Sequence, residues 1–252
     1  MMRVILPSIT TAGSAKHTWR ESLKERTRLE IGEIALFLTG LEEPERVELY
    51  GLLETEALYF PLQIPFVHAR SDMSASEYDY LIRTFGTRRF NLHPVREVPL
   101  QSPLPPRLRK LIYIENTTGL RESDLRGFAG VCLDVSHLED YKMCGEVETF
   151  ADVAIIAKQH GVGVSHVSAV SRQPYQFKDG SLSYAPHRAC SLQELDYLKK
   201  YPRRFFGEIM AIELNNSLFE QLQIKEYIQN SILKTQTRVR GVQVLSMLPE
   251  LG

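Results

Sequence analysis

A series of short apolar runs in this chain ends on a histidine or a carboxylate. IPFVH closes on His68, FNLH on His93 and LIYIE on Glu115. GVCLDV carries Asp134, with His137 three residues on. The run Val162–Val167 carries His166, and AIEL carries Glu213. A carboxylate at the end of an apolar run is costly to bury unless it meets a cation. Imidazole and carboxylate together suit Zn²⁺, Mn²⁺ or Fe²⁺ better than the all-oxygen cages of Ca²⁺ or Mg²⁺. The chemistry these residues could support is therefore that of a divalent metal acting as a Lewis acid.

The elements that must position them follow from periodicity. The apolar runs are Arg3–Ile9, Glu33–Leu38, Ile64–His68, Phe90–His93, Leu111–Glu115, Gly130–Val135, Val162–Val167 and the run within Phe205–Leu214. Helical stretches lie between them: Thr18–Glu30, Glu42–Leu53, Ser74–Phe85, Glu122–Phe128, Val147–His160, Leu192–Tyr201 and Ser217–Lys234. In Val147–His160, Phe150, Val153, Ala154 and Ala157 share one face at helical spacing. Ser74 with Glu77 reads as a capping box. The stretch Val95–Leu108 is proline-rich, and after the fourth and fifth runs only Ser102–Lys110 and Glu122–Phe128 are available for helices.

Eight strand-like runs alternating with helices or their remnants predict an α/β fold, a single (β/α)8 TIM barrel. Continuous apolar runs suit strands covered on both faces, and closure leaves no edge. An open doubly wound sheet would advertise a glycine-rich first turn, and none follows Ile9. In such barrels the chemistry sits at the C-terminal strand ends. Windows of about four residues there would cover roughly an eighth of the chain, so chance would place about one of the seven histidines in them. His68, His93, His137 and His166 all fall there. His17 and His160 lie on or near helices and need no functional reading.

Lys and Arg total 30 against 31 Asp and Glu, a formal charge of −1. No strongly basic field is on offer for nucleic acid. Cys132, Cys144 and Cys190 are odd in number and fit no zinc spacing, so a reducing compartment is the simpler expectation. The opening MMRVILPSIT is too short an apolar run for a signal segment, and no run is long enough to span a bilayer. The expectation is one soluble, cytoplasmic domain over residues 1–252, with 235–252 a tail of uncertain structure.

The motifs IENTTG at Ile114–Gly119, CLDVSH at Cys132–His137, SH at Ser165–His166 and IEL at Ile212–Leu214 resemble the xylose isomerase-like barrel superfamily, which includes endonuclease IV and the sugar epimerases. The resemblance runs from about Ile31 to Leu233. It implies a shared metal site of Glu115, Asp134, His166 and Glu213, with His68 and His93 matching a pair that holds another metal in endonuclease IV. His137 matches a substrate-binding histidine of the epimerases, and Arg172, in a His-x5-Arg spacing from His166, matches an arginine that contacts substrate. Endonuclease IV has an Asp-x-His after strand seven. Here Ala185-Pro186-His187 stands in its place, with Asp179 as a substitute aspartate, and His187 joins the substrate-binding candidates. Ser71 stands near the position of a DNA-penetrating tyrosine.

The expectation that results is an isomerase or epimerase of a small sugar, sugar phosphate or related hydroxy-carbonyl compound, dependent on a divalent metal, Zn or Mn ahead of Fe. Glu115 and Glu213 are the candidate acid/base pair around an enediolate. The alternative is an endonuclease IV-like hydrolysis of abasic DNA, with DNA a partner only in that case; a homo-oligomer is left open, and a membrane is not expected.

Overall fold

The computed structural model describes residues 3–11, 18–176 and 180–233. His17, Asp179 and the tail 235–252 lie outside the described residues. The sheet strands are β1 (Val4–Leu6), β2 (Ser8–Thr10), β3 (Glu33–Phe37), β4 (Gln63–His68), β5 (Arg89–Leu92), β6 (Ile112–Glu115), β7 (Gly130–Asp134) and β8 (Val162–Val167). A short hairpin of β9 (Tyr175–Gln176) and β10 (Leu182–Ser183) precedes β11 (Ile209–Ile212). All but the hairpin form one nine-stranded sheet, in the order β1-β11-β8-β7-β6-β5-β4-β3-β2, with every neighbouring pair parallel.

The two ends of this order, β1 and β2, are separated in the chain only by Pro7. The sheet is therefore a nearly closed, barrel-like ring of nine strands. The sequence reading took Arg3–Ile9 as one run and counted eight strands. In the structure that run is two short strands, because proline has no N–H to give a ladder and Pro7 divides it. β1 pairs with β11, whereas β2 turns to β3. The seam between β2 and β11 is bridged by side chains. Gln221 Oε1 accepts from the Ser8 amide at 2.7 Å, its Nε2 donates to Ser8 O at 3.0 Å, and the Ser8 hydroxyl donates to the Ile212 carbonyl.

Helices cover the outside of the sheet: α1 (Trp19–Arg28), α2 (Glu43–Ala57), α3 (Ala75–Phe85), α4 (Pro106–Arg109), α5 (Val135–Met143), α6 (Val147–His160) and α7 (Leu218–Tyr227). Their starts are written locally. Thr18 and Ser74 accept from the amides of Glu21 and Glu77, and Ser217 from Glu220; Pro44 sits in the first turn of α2. α3 ends on Gly86 at φ 69°, a left-handed cap that glycine adopts without strain. After β5 and β6 only the four-residue α4 and a 3₁₀ turn at Glu122–Leu125 are present. Leu192–Lys200 is 3₁₀ rather than α-helical, and α7 runs on into a π-helical turn at Ile228–Leu233. Among the described residues no helix is long and apolar enough to cross a membrane.

The core has two parts. Between sheet and helices lies a large cluster that includes Leu36, Val67, Phe90, Ile114 and Met210. Inside the ring lies a smaller one: Leu6, Ala35, Phe37, Phe66, Cys132, Val164, Ile209 and Ala211, with Val4 and Tyr113 packed against it. Side chains two apart on a strand point to the same face. Phe66 therefore sets the direction of His68, Tyr113 that of Glu115, Cys132 that of Asp134, Val164 that of His166, and Ala211 that of Glu213. At the opposite end from these groups Tyr113 fills the ring. A Cβ on Gly163 would lie 2.0 Å from Tyr113 Cε1, so only glycine fits there.

Candidate metal centre

The strand ends bring Glu115, Asp134, His166 and Glu213 together from β6, β7, β8 and the end of β11. Their ligand atoms all lie within 4.8 Å of one another. His166 and Asp134 are fully buried and Glu115 nearly so, while Glu213 keeps a partly open side chain. His166 Nδ1 stands 3.4 Å from Glu115 Oε1 and 3.1 Å from Glu213 Oε2. A second group, His68, His93 and Glu115, satisfies the same distance limit, so Glu115 belongs to both. Its Oε2 lies 2.9 Å from His68 Nε2.

Three buried atoms of the first group have no hydrogen-bond partner: Asp134 Oδ2, His166 Nδ1 and Glu213 Oε2. Orphaned buried polar atoms are uncommon in native proteins because each forfeits its hydration. Here they face one another across one point. Two carboxylates and an imidazole, joined by Glu115, are a donor set of the kind that holds Zn²⁺ or Mn²⁺. The residues present fit a divalent cation.

The supporting contacts keep the donors in place. Asp134 caps α5: its Oδ1 accepts from the amides of Ser136 at 2.7 Å and His137 at 3.0 Å and from the Ser136 hydroxyl, leaving Oδ2 to the site. The Asn116 side chain clamps the Asp134 backbone, accepting from its N–H at 2.7 Å and donating to its carbonyl at 3.1 Å. Asn91 Nδ2 donates to Glu115 Oε2 at 2.6 Å. The far nitrogen of His166, Nε2, stands 3.4 Å from Cys132 Sγ. Asn91, Asn116, Ser136 and Cys132 were missed by sequence reasoning. For Asn91 and Cys132 a signal existed: each stands two residues before a candidate ligand and so shares its face of the strand.

Electrostatics follow from this crowding. Burial opposes ionisation of Glu115, but His166 and His68 outweigh it and hold the carboxyl well below its ordinary range. Partial burial opposes ionisation of Glu213 too, yet His166 and His187 bring it down to about 2. Burial works against charge on His166, but Cys132 and Glu115 raise its pKa well above the ordinary value. His93 is lowered, chiefly by burial. His137 is raised, with Asp134 overcoming the burial penalty.

His137 Nε2 stands 3.6 Å from Asp134 Oδ2, and its ring lies edge-on to that of His187 at 5.7 Å. His187 holds a left-handed backbone at φ 47°, an uncommon conformation for a non-glycine residue that costs on the order of 1–3 kcal/mol. Its carbonyl accepts from the Asn215 amide at 2.8 Å, which holds the loop against the end of β11. Arg172 is exposed in the loop after β8. Ser71 borders a cavity beside His68 and His93.

The fold and site together define a parallel α/β barrel-like protein with a cluster of metal-competent donors at the C-terminal strand ends. No protein-family model matches the chain, and no curated protein matches it. Among solved structures, it is similar to a thiamine phosphate pyrophosphorylase from Pyrococcus furiosus, at 12% identity and a TM-score of 0.38 over 90% of this chain and 96% of that one. It is similar at the same identity and TM-score to an uncharacterized B. cereus protein, over 89% of this chain and 64% of the other. Likeness at that level assigns no activity.

These findings overturn the resemblance to the xylose isomerase-like superfamily and to endonuclease IV. No family model supports it, and the solved structures to which the chain is similar include a thiamine phosphate pyrophosphorylase and an uncharacterized protein. The motifs behind it are a few residues each. A parallel barrel-like sheet brings its C-terminal strand ends to one face whatever its ancestry, so donors gathered there do not require common descent.

Proposed function

We propose that the protein is a metal-dependent enzyme that moves a proton on a small hydroxy-carbonyl compound, an isomerase or epimerase of a sugar or related molecule. The observation that carries this reading is the convergence of three buried ligand atoms that make no hydrogen bond, on Asp134, His166 and Glu213, with the carboxylate of Glu115. We take β1 and β2 as halves of one strand, which makes the ring a (β/α)8 barrel and the chain one domain.

Glu115, Asp134, His166 and Glu213 would hold the cation. Such a cation, when bound, would supply Lewis acidity toward a substrate carbonyl and the negative charge developing on its oxygen. Glu213 and Glu115 are the acid/base pair: one carboxylate takes the proton from the carbon beside the carbonyl and passes it to solvent, and the other, having taken a proton from solvent, returns it to carbon. Both are ionised at neutral pH by the shifts described above, so each can start as a base. Glu213 is the more open of the two and reaches substrate first. His137 and His187, paired across the mouth, and Arg172 orient hydroxyls.

The sharing of Glu115 with His68 and His93 favours a second reading, a phosphoester hydrolase with two cations bridged by that carboxylate. The deciding experiment is a metal count per chain, taken together with proton exchange from D2O into a panel of ketoses. One ion with exchange supports the isomerase. Two ions without exchange would replace it with the hydrolase.

A further inference from the structure

Beside the metal cluster a cavity of about 150 Å³ opens between the loops after β3, β4 and β5, with His68 and His93 on the side toward the donors. A cavity of about that volume holds a benzene-sized molecule. Its other walls are largely apolar: Ala69, Leu92 and Val98. Ala69 and Leu92 are buried within the core, so they form a fixed wall, whereas Val98 stands 40% exposed at the rim.

Among the described residues, the permanent cation lining this cavity is Arg70, and its guanidinium is already used. Nε donates to Asp72 Oδ1 at 3.0 Å, Nη1 to the Thr39 carbonyl at 2.8 Å and Nη2 to Glu42 Oε1 at 3.0 Å. Two carboxylates neutralise it and aim its donors away from a ligand. Across the cavity, the three carboxylates of the metal cluster outweigh the charge of a single divalent cation. A phosphate dianion here would meet net negative charge and no available donor fork, the feature that recognises phosphate.

We infer that this cavity receives the end of the substrate remote from the metal, and that this end is uncharged: a methyl or hydroxymethyl terminus on a short carbon chain, not a phosphate. The inference rests on the proposed isomerase reading and narrows its substrate class to unphosphorylated sugars and their terminal deoxy derivatives. Hydrophobic contact with Leu92, Val98 and Ala69 supplies the recognition.

The test uses the full chain loaded with Zn²⁺ or Mn²⁺. Binding is measured by calorimetry for matched triples, each a ketose, its terminal deoxy derivative and its terminal phosphate, in the xylulose, ribulose, fructose, psicose and tagatose series. In at least one series the ketose or its deoxy derivative should bind tenfold or more tightly than the phosphate. Val98→Trp, at an exposed rim position, should fill the cavity and weaken that binding tenfold or more with metal content unchanged. Glu42→Gln removes one of the two carboxylates that neutralise Arg70 while Asp72 and the Thr39 carbonyl still hold it, and should narrow the gap to the phosphate.

Equal or tighter binding of the phosphates would overturn the inference, as would binding untouched by Val98→Trp or no binding across the panel. Deuterium exchange from D2O reads the reaction separately. Exchange confined to the phosphates would leave the isomerase standing and remove this inference. Val98-sensitive binding without exchange would do the reverse.

Discussion

Cys132 Sγ stands 3.4 Å from His166 Nε2, on the side of the ring turned away from the carboxylates. The contact assigns the two nitrogens different tasks. Nδ1 faces Glu115 and Glu213, and Nε2 is held from behind by a sulfur whose pKa burial pushes up to about 12. Partners of this kind fix a ligand's ring orientation, and removing one typically costs about 10–100-fold in metal affinity. Cys132→Ala should therefore weaken metal binding by about that factor while leaving the stoichiometry intact. A chelator-competition titration reads both, and unchanged affinity would show that the sulfur is only filler.

Metal binding should release a proton and strengthen with pH. His166 is raised well above its ordinary value in the metal-free protein, so near neutrality a proton occupies the ring that the metal needs. Glu213, at about 2, is already ionised and contributes none. A group with a raised pKa competes with the cation more strongly as pH falls, so affinity must drop with acidification and rise until the His166 pKa is passed. Calorimetry in buffers of different ionisation enthalpy counts the protons. A pH-independent affinity between pH 6 and 8 would contradict the assignment of His166 as a ligand.

Glu213→Gln should abolish proton exchange by on the order of 10²–10⁴-fold, the usual contribution of a general acid or base. The amide keeps an oxygen toward the cation, so the metal should be retained, though less tightly. Solvent deuterium incorporation measured beside metal content separates the two effects. Loss of metal with exchange per bound ion unchanged would restrict Glu213 to ligation.

His68→Ala combined with His93→Ala should leave one tightly held ion per chain if these histidines line the cavity beside the reaction. Both variants spare the shared ligand Glu115. Elemental analysis after dialysis gives the count, and a fall from two ions to one would establish a dinuclear centre.

Gln221→Leu should destabilise the fold by on the order of 2–4 kcal/mol. The amide serves Ser8 N, Ser8 O, and the carbonyls of Leu214 and Asn216, and all of these are buried groups that an apolar side chain leaves unpaired. Chemical denaturation with an unchanged slope would report it. A loss below about 1 kcal/mol would show that the seam closes without this bridge.

What the amino-acid sequence determined by itself is the local and the periodic. Apolar runs marked the sheet strands, because residues buried on both faces must be apolar wherever they sit. The spacing in Val147–His160 and the caps at Thr18, Ser74 and Ser217 act within a few residues, so helix starts were legible. The donors, too, could be named, since a carboxylate or histidine at the end of an apolar run is conspicuous.

What only the tertiary structure decided depends on partners far apart in the chain. Helix α5 is an exception, since its cap is local: Asp134 accepts from the Ser136 and His137 amides, but at the end of an apolar run it reads as a ligand rather than as a helix start. The break at Pro7 was visible as a proline, but not that β1 and β2 would take different neighbours, because ring closure is set by register between strands about two hundred residues apart. The spacing from Asn91 to His93 marks its face of the strand, but only the alignment of β5 and β6 brings its amide to Glu115. The same holds for Arg70, a cation in the sequence whose charge Asp72 and Glu42 cancel only when the loops after β3 and β4 meet.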